Sequence, residues 1–426
     1  MILWAEWYRC VKELHAACSR KVSAMWMTLC IAAFCIQCDM WGVTSFVRAL
    51  GLQEKCYKSL LNCFHSDAIK LDKLRDLWCA LVLKLFTPFR IGGRMVIVGD
   101  GIKVGKEGRK MPGVKKLHQE SQNNSKPEFI FGHSLQALGL LVVNPLGKIM
   151  SVPLVSAIHE GVRFSPSDKR TLLDKFATMF SETVARMTQG GCILVADAYY
   201  ASRKVILPLL ENGHHLICRV NSNAVAYLPA PPKEKASRGR KKIYGEKVKL
   251  GSLFNDPDQF KEAGLSLYGK NKTVRYRSVD LLWRPIGVLV RFVLVIDPDK
   301  GRSIFLSTDL SLTAIEIITA YSYRFKIEAS FKQAVHTIGT YNYHFWMQMM
   351  KPRSRTKSGD VYLHRESKEY RRLVERKIRA YHRFIQFGCI AQGLLQYLSI
   401  CFRQQVWLCF GSWMRTMNTS QAPSEA

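Results

Sequence analysis

The sequence predicts an α/β protein whose mixed core is interrupted by a β-rich insertion and flanked by helical regions at both ends. Three observations predict it. Met95-Val-Ile-Val98, Leu138-Gly-Leu-Leu-Val-Val143 and Ile193-Leu-Val-Ala196 are short β-rich runs bounded by Gly, Asn or Asp, and residues 172–187 between the last two read as an amphipathic helix. Residues 206–308 alternate strand-like runs, such as Val288-Leu-Val-Arg-Phe-Val-Leu-Val-Ile296, with loops and show weak helical periodicity. The chain before residue 90 and the stretch 384–402 repeat apolar residues at helical spacing.

Taken in order, residues 1–90 are expected to be a helical region, punctuated by Gly51 and Pro88. Within it, residues 22–38 carry no charge before Asp39 and approach the length of a membrane span. A buried helix and a membrane segment both fit that stretch. The charged remainder of the chain favours the first, and with it a cytoplasmic protein without a membrane partner. Glu6, Arg9 and Lys12 break up the start as a signal peptide. Residues 91–205 form the first part of the core and 206–308 the insertion, with a proline-rich then basic loop from Pro229 to Lys242. Thr313-Ala-Ile-Glu316 fits a capping box, opening a helix expected to run to about Ile338 within the core segment 309–345. Residues 346–426 are a basic helical region with a short polar tail from Asn418.

The charge balance narrows the partners. Lys and Arg number 63 against 33 Asp and Glu in 426 residues, a formal charge of +30. Self-repulsion on that scale opposes compaction and calls for a polyanion, and the spread of the excess along the chain favours nucleic acid over a membrane surface. Hydrophobic content of 48% and aromatic content of 11% exclude a disordered chain. The 13 cysteines are odd in number, and Cys35-Ile-Gln-Cys38 is a lone C-x-x-C, open to reduced buried thiols or to a zinc or redox pair.

Asp100 and Asp197 each follow one of the apolar runs, and Tyr321, Arg324 and Glu328 stand at i, i+3 and i+7 of a helix-like stretch. Phosphodiester chemistry needs an activated attacking oxygen and a stabilised leaving oxygen. Two divalent ions about 3.5–4 Å apart do both, and hard cations take carboxylate oxygen. Asp100, Asp197 and Glu328 are therefore the candidate catalytic, metal-binding residues, for Mg²⁺ with Mn²⁺ as substitute.

The order of these motifs carries a resemblance. Tyr321-x-x-Arg324-x-x-x-Glu328 resembles the signature of the Tyr-Arg-Glu-Lys group of bacterial insertion-sequence transposases in the DDE superfamily. Val98-Gly-Asp-Gly-Ile-Lys-Val104, Val195-Ala-Asp-Ala-Tyr-Tyr200 and Leu306-Ser-Thr-Asp-Leu-Ser-Leu312 look like the same group. The resemblance implies a ribonuclease H-like core with Asp100, Asp197 and Glu328 as its triad. It also implies cleavage at element ends, attack of a 3′-hydroxyl on target DNA, phosphate contacts from Tyr321 and Arg324, and a dimer on double-stranded DNA. The group's lysine falls at Val335 here, with Lys332 on the same helical face as a substitute, so an inactive, repressing remnant is the alternative.

Basic segments supply further DNA-binding candidates. Lys103, Lys106, Arg109, Lys110, Lys115, Lys116 and Lys126 follow the first aspartate. Arg238-Gly-Arg240-Lys-Lys242 reads as a minor-groove hook or as a solvated loop. Residues 351–384 hold 12 Lys/Arg against 4 Asp/Glu and suit phosphate contact. His118 and His133 are open to a phosphate contact or to structural hydrogen bonding.

Overall fold

The computed structural model describes residues 2–119, 127–187, 190–231, 242–267 and 269–411. It is a mixed α/β structure built on one large sheet, with helices at both ends of the chain. Five core strands are β1 (Arg94–Gly105), β2 (Phe129–Val143), β3 (Ile149–Ile158), β4 (Cys192–Ala196) and β5 (His215–Val220). Their order across the sheet is β3-β2-β1-β4-β5, with β2 antiparallel to both neighbours and β1, β4 and β5 parallel. The parallel links are crossed by α6 (Leu172–Ala185) and α7 (Arg203–Glu211). Thr171 and Asp174 close a reciprocal capping box that starts α6 where the sequence pattern starts.

The sheet continues into β6 (Val225–Pro229), β7 (Tyr244–Lys249), β8 (Lys261–Leu267), β9 (Lys270–Trp283), β10 (Val288–Asp297) and β11 (Gly301–Ser307). β11 lies antiparallel against β5, so the β-rich segment extends the core sheet directly. The boundary expected at residue 206 thus falls inside α7, and β5 pairs with the core. Residues 215–220 alternate poorly because both faces of that strand are covered, which makes them resemble the strands that follow.

The two faces of the central strands serve two cores. Val96, Val98, Ile193, Val195 and Ile217 meet Ile317, Ile318 and Ile327 of α8 (Ala314–Ser322) and α9 (Lys326–Gln333). Ile97, Leu194 and Ala196 face the larger core with Phe176 and Phe180 of α6. Alternation of side chains along a strand requires this split, and each fully buried Val, Ile or Phe contributes about 1.5–3 kcal/mol. Gly99 lets α6 approach, since a Cβ there would stand 2.6 Å from Phe176 Cζ.

The first helices are α1 (Ile2–Leu14), α2 (Lys21–Ile36), α3 (Val43–Ala49), α4 (Cys56–His65) and α5 (Leu71–Leu85). They pack around α10 (Lys368–Cys401), a single 34-residue helix where the sequence suggested a basic segment followed by an apolar helix. Phe34, Phe46 and Phe64 gather on Phe384, with ring centroids 4.8, 5.8 and 5.2 Å away. The apolar stretch 22–38 is α2, 16 residues long, whose Met27, Cys30, Ile31 and Phe34 are buried in this bundle. α10 is long and apolar enough to cross a membrane, but 83% of its most apolar window is buried inside the protein. Burial pushes the Cys35 thiol up to about 12, while Cys38 is exposed.

Candidate active site

The spacing of the two aspartates is a strand register. β1 and β4 pair in parallel as Met95↔Cys192, Val96↔Ile193, Ile97↔Leu194 and Val98↔Val195, an offset of 192 − 95 = 97. Asp100 and Asp197 have the same offset, 197 − 100 = 97. They therefore stand side by side two residues beyond the last pair, on the face that α8 and α9 cover, with strands about 4.8 Å apart. Asp197 ends its strand and caps a short 3₁₀ turn, with Oδ1 accepting from Ala198 N at 2.6 Å. Asp100 was expected at a strand end as well. It lies inside β1 instead, because β1 runs on to Gly105 to pair with β2.

The third motif comes from a broken helix. The capping box of Thr313 and Glu316 forms as expected, but α8 stops at Ser322 and α9 starts at Lys326, so the continuous helix to Ile338 does not form. Tyr321 ends α8, Arg324 sits in the turn and Glu328 lies in the first turn of α9. Tyr321 is buried with its ring 4.4 Å from that of Phe305. Arg324 bridges the carboxylates, donating from Nη1 to Asp100 Oδ2 at 3.1 Å and from Nη2 to Glu328 Oε1 at 2.5 Å.

Electrostatics bind the group together. Burial raises the Asp100 carboxyl to about 6, Arg324 and the Gly101 N–H pull it down, and Asp197 and Glu328 push it up. Burial opposes the charge on Arg324, but Tyr321, Asp100 and Glu328 together hold its proton more tightly than usual. Burial, then Asp197, raises the Tyr321 phenol. Asp197 and Glu328 thus each act on Asp100 across the cleft.

Residues 165–336 match the family model described as the transposase DDE domain. The matched stretch takes up about two fifths of the chain and is similar to the DDE domain of transposases. The match takes in Asp197, Tyr321, Arg324 and Glu328 and starts after Asp100. No curated protein sequence matches the chain. Among solved structures, the chain is similar to the cryo-EM structure of a piggyBac transposase synaptic complex with hairpin DNA. The TM-score is 0.34 at 12% identity, covering 92% of this chain and 73% of that one.

Glu328 and Asp197 line two separate clefts that share Arg219. One, of about 500 Å³, is lined by Tyr321, Arg324, Glu328, Lys300, Phe305 and Arg219. The other, of about 620 Å³, is lined by Asp197, Asn221, Asn223, Arg302 and again Arg219. Arg219 is exposed at the end of β5 and pairs with no carboxylate among the described residues. Arg302 lies 5.2 Å from the Phe254 ring. Sequence reasoning missed Arg219, although it closes the apolar run Leu216-Ile-Cys218 much as Asp197 closes its own.

The donor chemistry of three carboxylates fits Mg²⁺ or Mn²⁺. Among the described residues no three His, Cys, Asp or Glu side chains converge on one point. The Arg324 guanidinium is the cation between Asp100 and Glu328 here, so an ion bound by both requires it to swing aside.

Other sequence candidates lie elsewhere. Lys103, three residues after Asp100, projects from the opposite face of β1, and its Nζ donates to His118 O at 2.7 Å. Lys332 is exposed one turn beyond Glu328, with no ion pair among the described residues. Val335, at the position of the group's lysine, packs against the large core inside a π-helical turn, Ala334–Ile338. His133 is fully buried and hydrogen-bonded to Pro112 O at 3.0 Å, and burial drops it to about 3. It is a structural histidine. His118 is exposed and sits against Glu128 and Phe129. Arg238, Arg240 and Lys126 lie outside the described residues, as does the tail from Asn418.

Proposed function

We propose that the protein is a DNA transposase that cuts DNA at the ends of its own insertion element and joins the 3′-hydroxyl ends to target DNA. The observation that carries this reading is the common offset of 97 that sets Asp100 beside Asp197, with Glu328 tied to Asp100 through Arg324. The strand order β3-β2-β1-β4-β5, with only β2 antiparallel, supports a ribonuclease H-like core interrupted after β5. The transposase match over residues 165–336 supports the same reaction class.

In this reading Asp100, Asp197 and Glu328 hold divalent ions, Mg²⁺ or Mn²⁺. Once bound, these ions activate the attacking oxygen and stabilise the leaving one. Arg324 has a second duty, because its planar fork matches phosphate oxygens as well as carboxylates. It neutralises Asp100 and Glu328 in the free protein and turns to the DNA phosphate when the ions take over. Tyr321, wedged on Phe305, fixes the end of α8 from which Arg324 reaches out. Arg219, between the two clefts, holds the strand that passes Asp197. The partners are double-stranded DNA, as terminal inverted repeats and as target, and a second copy of the chain that brings two ends together. Residues 1–90 take the role of end recognition.

The experiment is cleavage of a plasmid carrying the gene's own flanking DNA, with Mg²⁺ or Mn²⁺, comparing wild type with Glu328→Gln. Metal-dependent cuts at discrete ends, lost in the variant, are expected. Cuts that persist in Glu328→Gln would overturn the reading.

A further inference from the structure

Two basic loops far apart in sequence are laced together at one end of the sheet. Arg109 Nε donates to Arg353 O at 2.9 Å across a separation of 244 residues, and Arg353 N returns a bond to Arg109 O at 2.8 Å. Lys110 Nζ donates to Gln348 O at 3.0 Å and Arg355 Nη2 to Glu107 O at 3.1 Å. Main-chain bonds from Met347 N to Lys110 O and from Lys116 N to Lys357 O, both 2.9 Å, complete the seam.

These arginines and lysines spend their hydrogen bonds on carbonyls, so their charges stay uncompensated. Lys115 is different. It is buried between Glu160 at 2.6 Å and Asp360 at 3.2 Å and anchors the base of the seam. Above it, Arg109, Lys110, Lys116, Lys351, Arg355 and Lys357 pair with no carboxylate among the described residues. A polyanion laid over this surface would compensate these charges. Aromatic rings are interleaved, with Lys110 5.8 Å from the exposed Trp346 ring and Lys116 3.8 Å from Phe129.

The seam lies at the far end of β1 from the site. Gly105 is five residues beyond Asp100, about 17 Å along a strand at ~3.3 Å per residue. DNA rises about 3.4 Å per base pair, so that distance spans about five base pairs. We propose that the two loops form a second DNA-backbone surface, gripping the duplex about five base pairs from the phosphate that is cut. This rests on the transposase reading above and adds a grip whose contacts are to phosphate and carry no sequence information.

The test uses the full chain without divalent metal and fluorescent duplexes made from the gene's flanking DNA. One duplex spans the cut, and two others are trimmed at the cut on one side or the other. Lys116→Gln, Lys351→Gln and Lys357→Gln combined leave every hydrogen bond of the seam in place. Each lost phosphate contact lowers the slope of log K against log salt by about 0.9. The triple variant should therefore bind the spanning duplex with a slope shallower by about two to three, and at least about tenfold more weakly at moderate salt. The deficit should vanish on one trimmed duplex. Ser358→Lys, which adds a charge to the same surface, should steepen the slope by about one. An unchanged slope in both variants would overturn the proposal, and so would a deficit equal on both trimmed duplexes, which would indicate attraction to DNA at no fixed distance from the cut. Failure of the transposase reading would show differently, as cuts that survive Glu328→Gln.

Discussion

Asp100 and Asp197 ride on neighbouring strands whose main chains are hydrogen-bonded together, whereas Glu328 rides on an eight-residue helix that follows a three-residue turn. The strand side is positioned by backbone register and needs no side-chain contact to hold it. The helix side is positioned by charge, through Arg324, and by the packing of Ile317, Ile318 and Ile327 on the sheet. A site built this way has one rigid half and one half that can adjust as cations and phosphate arrive.

The largest expected effect falls on both halves equally. Asp197→Asn and Glu328→Gln should each lower strand cleavage at least about a thousandfold while DNA binding persists, read by single-turnover cleavage and anisotropy. Loss from only one of them would mean that the two halves do not share a site.

Arg324→Ala separates the halves. It should reduce cleavage by about a hundredfold. It also removes the main group holding the Asp100 carboxyl down, so the acid limb of the pH–rate profile should move to higher pH. An unmoved acid limb would separate Arg324 from Asp100 in function.

Asp100 also bears on stability. Its carboxyl is raised from the ordinary 3.8 to about 6, chiefly by burial. Between those values the unfolded chain loses the proton that the folded chain keeps, so stability falls as pH rises and stays lowered above about 6. Asp100→Asn should therefore stabilise the metal-free protein by about 2–3 kcal/mol at pH 8 and by almost nothing at pH 4, read by thermal unfolding. The inactive variant would be the more stable one.

Two smaller changes sharpen the contrast. Gly99→Ala forces a Cβ to 2.6 Å from Phe176 and should cost about 1–3 kcal/mol on the rigid half, with the cut positions unchanged. Lys332→Ala, exposed and without an ion pair among the described residues, should change cleavage less than about twofold.

Much of the rigid half was legible in the sequence, because short apolar runs ending in aspartate are written in consecutive residues. That their separation is also a register was not, since pairing is a relation between strands. The break at residues 323–325 was hidden because Ile317, Tyr321, Phe325 and Ala329 recur every four residues across it, as on one face of a continuous helix. α10 was divided in the reading because its composition changes near Phe384. It is continuous because the buried Arg383 is satisfied by the carbonyls of Ile69 and Phe64 and by Asp67. Arg219 was passed over because a lone basic residue carries no pattern until two clefts are seen to share it.

The most direct test of the shared site is Mn²⁺ binding followed by electron paramagnetic resonance on the DNA-bound protein. Wild type should take up Mn²⁺ as a spin-coupled pair of ions, and Asp100→Asn and Glu328→Gln should each lose the coupled signal. Coupled ions that persist in both variants would contradict the account, because the carboxylates of the strand half and the helix half would then not be holding the same metals.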